Sequence, residues 1–198
     1  MLCYFAWVGI IFTTIIEMFY FSIRPPYDGV AVLVIYDWLQ HNCRFNLLLR
    51  LKDGVFLRND PLVASLVQLK AEPNSTRMVW GFMSLLEPLG DHRYIDIQLL
   101  QRWMVYLPPH PLPDLFALSY DVVSLLVQHY RQDFLTYYSV EEVSLAVWLI
   151  GTNVTWKNDG RMSVSDCARR EAFGVIPRDW DKAVHNVEKC GHPCIGTC

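Results

Sequence analysis

The first 22 residues, Met1 to Ser22, carry a single charge, Glu17, and no other stretch of the sequence constrains the fold as strongly. About 20 apolar residues suffice to cross a bilayer as a helix. A buried β-strand is the competing reading. Val8, Ile10, Ile11, Phe12, Thr13, Thr14, Ile15 and Ile16 are β-branched or aromatic, as in a strand packed on both faces. Glu17 would cost roughly 2.5–3.5 kcal/mol near the centre of a spanning helix. No Lys or Arg precedes the run, and the charged n-region and small-residue end of a signal peptide are missing. The residues by themselves leave strand and anchor both open.

With 198 residues, the chain has room for one domain. Its 53% hydrophobic and 19% charged content allows enough apolar burial to offset the entropy of ordering, which excludes a disordered chain. Lys and Arg number 17 against 20 Asp and Glu, so the basic excess needed to bind nucleic acid through bulk charge is absent.

Pro25-Pro26-Tyr27-Asp28-Gly29 predicts a loop. Val30 to His41 suits a buried helix carrying Trp38, or a further strand. Phe45 to Arg50, Lys52-Asp53-Gly54 and Val55 to Leu57 predict strand, polar turn and strand. Asp60 is placed to cap a helix that Pro61 opens, with Leu62, Leu66, Val67 and Leu69 on its apolar face. Met78 to Phe82 predicts a strand. The four prolines between Leu107 and Pro113 exclude a helix there. Ser119 is placed to cap a helix running to Val127. Ser139 and Glu142 have the spacing of a capping box ahead of a helix over Glu141 to Ile150, with Gly151 ending it. Strands and helices alternate, which makes the class α/β.

Asn74-Ser75-Thr76 and Asn153-Val154-Thr155 are glycosylation sequons. Cys190, Cys194 and Cys198 crowd the last nine residues, and Cys167 precedes them. Zinc is one reading of this cluster, but the C-x3-C-x3-C spacing lacks the C-x2-C pair of many structural zinc sites. Disulfides in a secretory compartment are favoured, and four such cysteines can form two bridges.

Phe45-Asn46-Leu47-Leu48-Leu49-Arg50-Leu51-Lys52-Asp53-Gly54-Val55-Phe56 resembles a strand of the beta-1,3-galactosyltransferase-type family, glycosyltransferase family 31. In that family the strand leads into a D-D-D motif for metal and nucleotide sugar. Trp80-Gly81 resembles its W-G strand. Leu107-Pro108-Pro109-His110 with Phe116-Ala117-Leu118-Ser119 resembles its acceptor-side segment. Glu141 to Leu149 is similar to its E-D-V-x-x-G-x-x-L helix start, and Asp159-Gly160-Arg161-Met162 to its D-P-R-F. The F-N-L-L-L run and the tail Cys190-Gly191-His192-Pro193-Cys194 with Cys198 are similar to the beta-1,3-N-acetylgalactosaminyltransferase branch. Ile10 to Phe19 resembles the family strand I-I-F-V-D-V-x-D-T-Y, and that resemblance favours a core strand over an anchor for the N-terminal run.

The resemblance implies a GT-A-like, Rossmann-like α/β fold with a mixed sheet flanked by helices, shortened at the N-terminus. Residues 1–163 would form the partial transferase domain, and 164–198 a cysteine-containing extension packed on it. It implies inverting transfer from a UDP-sugar donor to a hydroxyl of a glycan acceptor, in the Golgi or endoplasmic reticulum lumen or membrane. Mn2+ or Mg2+ would neutralise the diphosphate, and a carboxylate would take the hydroxyl proton. Glu142 falls on the family's candidate base and Glu141 on its acidic neighbour. Two acids at a helix start also complement the helix dipole without any catalytic role. The three metal-motif aspartates fall on Lys52, Asp53 and Gly54, leaving Asp53 as the remaining metal and nucleotide-sugar residue. The family's G-x-G falls on Pro113-Asp114-Leu115. A second function is therefore open: a lumenal pseudo-glycosyltransferase that binds a glycan or another glycosyltransferase.

Overall fold

The computed structural model describes residues 28–52, 55–71, 76–85, 87–89, 99–138, 140–163, 172–175 and 180–190. The Met1 to Ser22 run, Asp53, Asn74, Ser139, Cys167, Cys194 and Cys198 lie outside the described residues. In chain order the elements are helix α1 (Asp28–Asn42), strands β1 (Leu47–Leu51) and β2 (Phe56–Leu57), and helix α2 (Asn59–Ala71). Strand β3 (Met78–Ser84), a 3-10 turn (Leu99–Arg102), strand β4 (His110–Ser119) and helices α3 (Tyr120–Arg131) and α4 (Glu141–Trp148) follow. Strand β5 (Thr155–Asn158), a 3-10 turn (Gly160–Met162), strand β6 (Gly174–Val175) and helix α5 (Trp180–Cys190) complete the order.

The main sheet runs β1-β4-β3-β5. The first two junctions are antiparallel and β5 joins β3 in parallel, so the sheet is mixed. Strand periodicity sorts the core into two layers, because successive side chains point to opposite faces. Leu48, Val79, Phe116 and Leu118 face α1, α3 and α4. Leu49, Met78, Trp80, Leu115 and Ala117 face α2 and Phe173. Each large apolar side chain buried this way contributes on the order of 1.5–3 kcal/mol. The molecule is thus an α/β domain with helices on both faces of a mixed sheet.

Several sequence expectations need correction. Asp28 and Gly29 belong to α1 and not to the loop predicted for residues 25–29. Of the two readings of residues 30–41 the helix is the one that forms, although Trp38 stays 37% exposed on it. Helix α2 begins at Asn59, so Asp60 lies in its first turn instead of capping it. Strands β1 and β2 do not pair with each other: β1 pairs with β4 and β2 with β6. Ser119 stands at the N-cap of α3 but makes no cap bond with its side chain. Its hydroxyl accepts from the Met78 backbone N–H at 2.9 Å, tying β3 to β4. Val140, rather than Ser139, is the N-cap of α4 and makes no side-chain cap bond. Gly151 lies beyond the end of α4, at φ 74°, a left-handed conformation that favours glycine.

Strand β4 is central yet holds Pro111 and Pro113. Proline removes a ladder donor and is usually confined to edges and bulges. The geometry accommodates both. The β1 pairing stops at Leu115, and the β3 register shifts between Gly81, opposite Phe116, and Met83, opposite Pro111. The bulge crowds Gly81. A Cβ there would stand 3.0 Å from the Cβ atoms of both Phe116 and Pro111, so this close approach admits only glycine without a shift.

Candidate active site: a buried acidic pair over the sheet

Helix α4 packs on β4 and on α1. Its other flank buries Val143 against Leu89, Leu100 and Leu107. Glu141 and Glu142 open the helix, where carboxylates complement the positive end of the dipole. Both are withdrawn from solvent: the Glu141 side chain is 10% exposed and Glu142 is 8% exposed.

The compensating charge comes from β1. Arg50 shares the face of Leu48, and its Nη2 donates to Glu141 Oε2 at 2.7 Å. Burial acts to lower the Arg50 pKa, but the Glu141 carboxylate and its hydrogen bond outweigh this and raise it. Glu142 is pushed above the ordinary glutamate range. Burial is the main cause and the neighbouring Glu141 charge adds to it, against opposition from its own backbone N–H, Arg50 and His110. Tyr36 of α1 lies in the same field. Burial first, then Glu141, pushes its hydroxyl well above the usual range.

His110 opens β4 beside this group and is 5% exposed. Its Nδ1 lies 3.0 Å from the Pro108 carbonyl oxygen and its Nε2 3.0 Å from Glu87 Oε2. The Ser84 hydroxyl donates to the same Glu87 oxygen at 3.2 Å. Both ring edges of His110 therefore face oxygen acceptors, and the ring ties the start of β4 to the segment after β3.

Glu141 and Glu142, consecutive in sequence, both open α4 and are largely withdrawn from solvent. Arg50, His110, Glu87 and Tyr36 complete the group and are not among the expected site residues. A signal for Arg50 was present. In Leu47-Leu48-Leu49-Arg50-Leu51 an arginine occupies the same face as a core leucine, and a buried cation there requires an acidic partner.

Of the three positions matching the metal motif, Lys52 alone is among the described residues. Lys52 follows β1, with its side chain 56% exposed and its ammonium 3.6 Å from Asp114 Oδ1. Its backbone N–H donates to the Asp114 carbonyl at 2.9 Å. Among the described residues no three His, Cys, Asp or Glu side chains cluster as metal ligands. Asn153 is exposed just before β5, and Thr155 of the same sequon, also exposed, opens that strand. Cys190 is the last residue of α5. No helix among the described residues is long and apolar enough to cross a membrane.

The Asp159 segment is structural. Asp159 accepts from Trp80 Nε1 at 3.1 Å, from the Arg161 backbone N–H at 3.0 Å and from the Arg161 guanidinium at 2.7 Å. Burial opposes ionisation of Asp159, but the Arg161 and Trp80 bonds prevail and lower its pKa. The Arg161 guanidinium also lies 4.9 Å from the centroid of the Phe173 ring, which meets Trp80 edge-on.

The chain is similar to a known glycosyltransferase. Over 147 residues it is 32% identical to beta-1,3-galactosyltransferase 6 of Mus musculus. The match covers 71% of this chain and 42% of the mouse protein, so the chain spans less than half the length of that relative. No protein-family model matches the chain. The similarity supports a relationship of the beta-1,3-galactosyltransferase type at the family level and does not choose among branches. The mixed α/β architecture is compatible with such a domain.

Proposed function

We propose that the chain is a divergent beta-1,3-galactosyltransferase-type protein that transfers a hexose from a UDP-sugar to a hydroxyl of a glycan, with inversion, and that Glu142 is its base. The observation that carries this reading is the acidic pair at the start of α4, buried and served by a single strand cation, in a chain similar to a galactosyltransferase. A buried carboxylate with raised proton affinity suits proton abstraction near neutral pH. In the step, the acceptor hydroxyl gives its proton to Glu142 and its oxygen bonds to the sugar's anomeric carbon. The bond from that carbon to the diphosphate breaks, and the electron pair leaves on UDP. The branch similar to beta-1,3-N-acetylgalactosaminyltransferases, with Golgi or endoplasmic reticulum residence, glycosylation at Asn74 and Asn153 and bridges among Cys167, Cys190, Cys194 and Cys198, belongs to the same proposal.

A divalent cation does not fit the end of β1 as the residues stand. Lys52 places an ammonium where the family has a carboxylate, Gly54 offers no side chain, and Asp53 is the one acid left of the motif. The Lys52–Asp114 pair favours a second reading, a lumenal binding protein for a glycan or another glycosyltransferase that turns nothing over. Transfer or hydrolysis of UDP-sugars by the purified chain, compared with Glu142→Gln, separates the two. Turnover lost in Glu142→Gln supports the enzyme. A folded chain without turnover that binds neither UDP nor Mn2+ in calorimetry overturns it.

A further inference from the structure

We propose that Arg50 is a positioning residue that divides the work of the two adjacent carboxylates: it holds Glu141 in a fixed ion pair and leaves Glu142 to exchange the proton. The inference rests on the reading of Glu142 as the base. Two neighbouring carboxylates, both about nine-tenths withdrawn from water, cannot both be ionised cheaply. Arg50 breaks the symmetry. It makes its 2.7 Å hydrogen bond to Glu141, while it acts on Glu142 only through its charge. Consecutive helical positions also point about 100° apart, so one cation does not serve both equally.

The groups that act on Glu142 come from three elements: Arg50 of β1, His110 of β4 and Glu141 of α4 itself; Tyr36 of α1 in turn feels the Glu142 charge. Glu87 is bound to His110 at 3.0 Å and extends the set to the segment after β3. Of these, Arg50 is the one whose removal isolates the acidic pair, because the His110 ring is engaged by Glu87 and Pro108.

The test is a carbon-13 titration of the glutamate carboxyls in the full chain, which does not require turnover. Wild type should show one upward-displaced step, identified as Glu142 by its disappearance in Glu142→Gln. Arg50→Met should move the Glu142 step further up, because the cation that lowers it is gone. Arg50→Lys should return the step to its wild-type position. An identical titration in wild type and Arg50→Met overturns the proposal. Should Arg50→Met fail to fold, Glu141→Gln keeps the shape and removes the like charge, so the Glu142 step should move down; a Glu142 step that stays in place overturns the proposal. In a chain that turns over, Arg50→Met should also displace the acid limb of kcat/KM by about one pH unit. A titration that behaves as described in a chain without turnover supports the charge assignment and refutes the transferase reading, so the two failures are distinguishable.

Discussion

Arg50 and Lys52 stand two residues apart at the end of β1, and the same sheet gives them opposite surroundings. Arg50 is tucked under α4 and meets a carboxylate at 2.7 Å, with its side chain 26% exposed. Lys52 lies past the last paired residue, 56% exposed, and meets Asp114 at 3.6 Å. Charge type is the same; dielectric surroundings differ. A pair withheld from water is costly to break because the remaining charge has no solvent to return to. An exposed pair adds little, since water and salt replace either partner. The Arg50–Glu141 pair is therefore built in, whereas the Lys52–Asp114 pair lies toward solvent.

The largest effect expected from this contrast is on chemistry. Glu142→Gln should lower transfer by about 100- to 10,000-fold, the usual weight of a general base, with the fold retained by circular dichroism. Next is Arg50→Met, expected to destabilise by about 3 kcal/mol in urea titration because Glu141 is left buried and without its cation. A loss below about 0.5 kcal/mol would show that the pair is as weak as an exposed one. Asp159→Asn should cost about 2 kcal/mol, because charge-assisted bonds to Trp80 and Arg161 weaken. The sign of its pH effect follows from the lowered pKa. Wild type holds this contribution above the unfolded aspartate value, near pH 3.9, and loses it as pH falls through the lower folded value. Glu142 has the opposite sign: its raised pKa makes the folded state lose stability as pH rises from the ordinary glutamate range through the folded value. Thermal melts of wild type and Glu142→Gln across that window measure it. Smallest is Lys52→Ala, within about 1 kcal/mol of wild type.

Much of the architecture was legible because period and burial agree. Met78 to Phe82 alternates toward two different cores, and β3 forms there. The acidic pair was legible as a helix start. What was not legible depends on partners distant in sequence. Ser119 looks like a cap, yet its hydroxyl is claimed by Met78 across the sheet. Phe45 to Leu57 reads as strand, polar turn and strand, yet each of its strands pairs with a much later one. Pro111 and Pro113 argue against a central strand, and only the bulge opposite Gly81 makes room for them. The role of Arg50 was half visible, since its strand face was readable but its partner on α4 was not.

The pairing order bears on how the chain is made. Among the described residues, Leu47 has no strand partner until Ser119 has been synthesised, and Met78 waits for Thr155 before the parallel edge can form. Emerging from the ribosome, β1 and β3 are thus exposed apolar edges for much of translation, and β4, arriving between them, closes most of the sheet at once. Chains released before β4 is complete would carry those edges unprotected, and chaperone capture should be greatest for such nascent lengths.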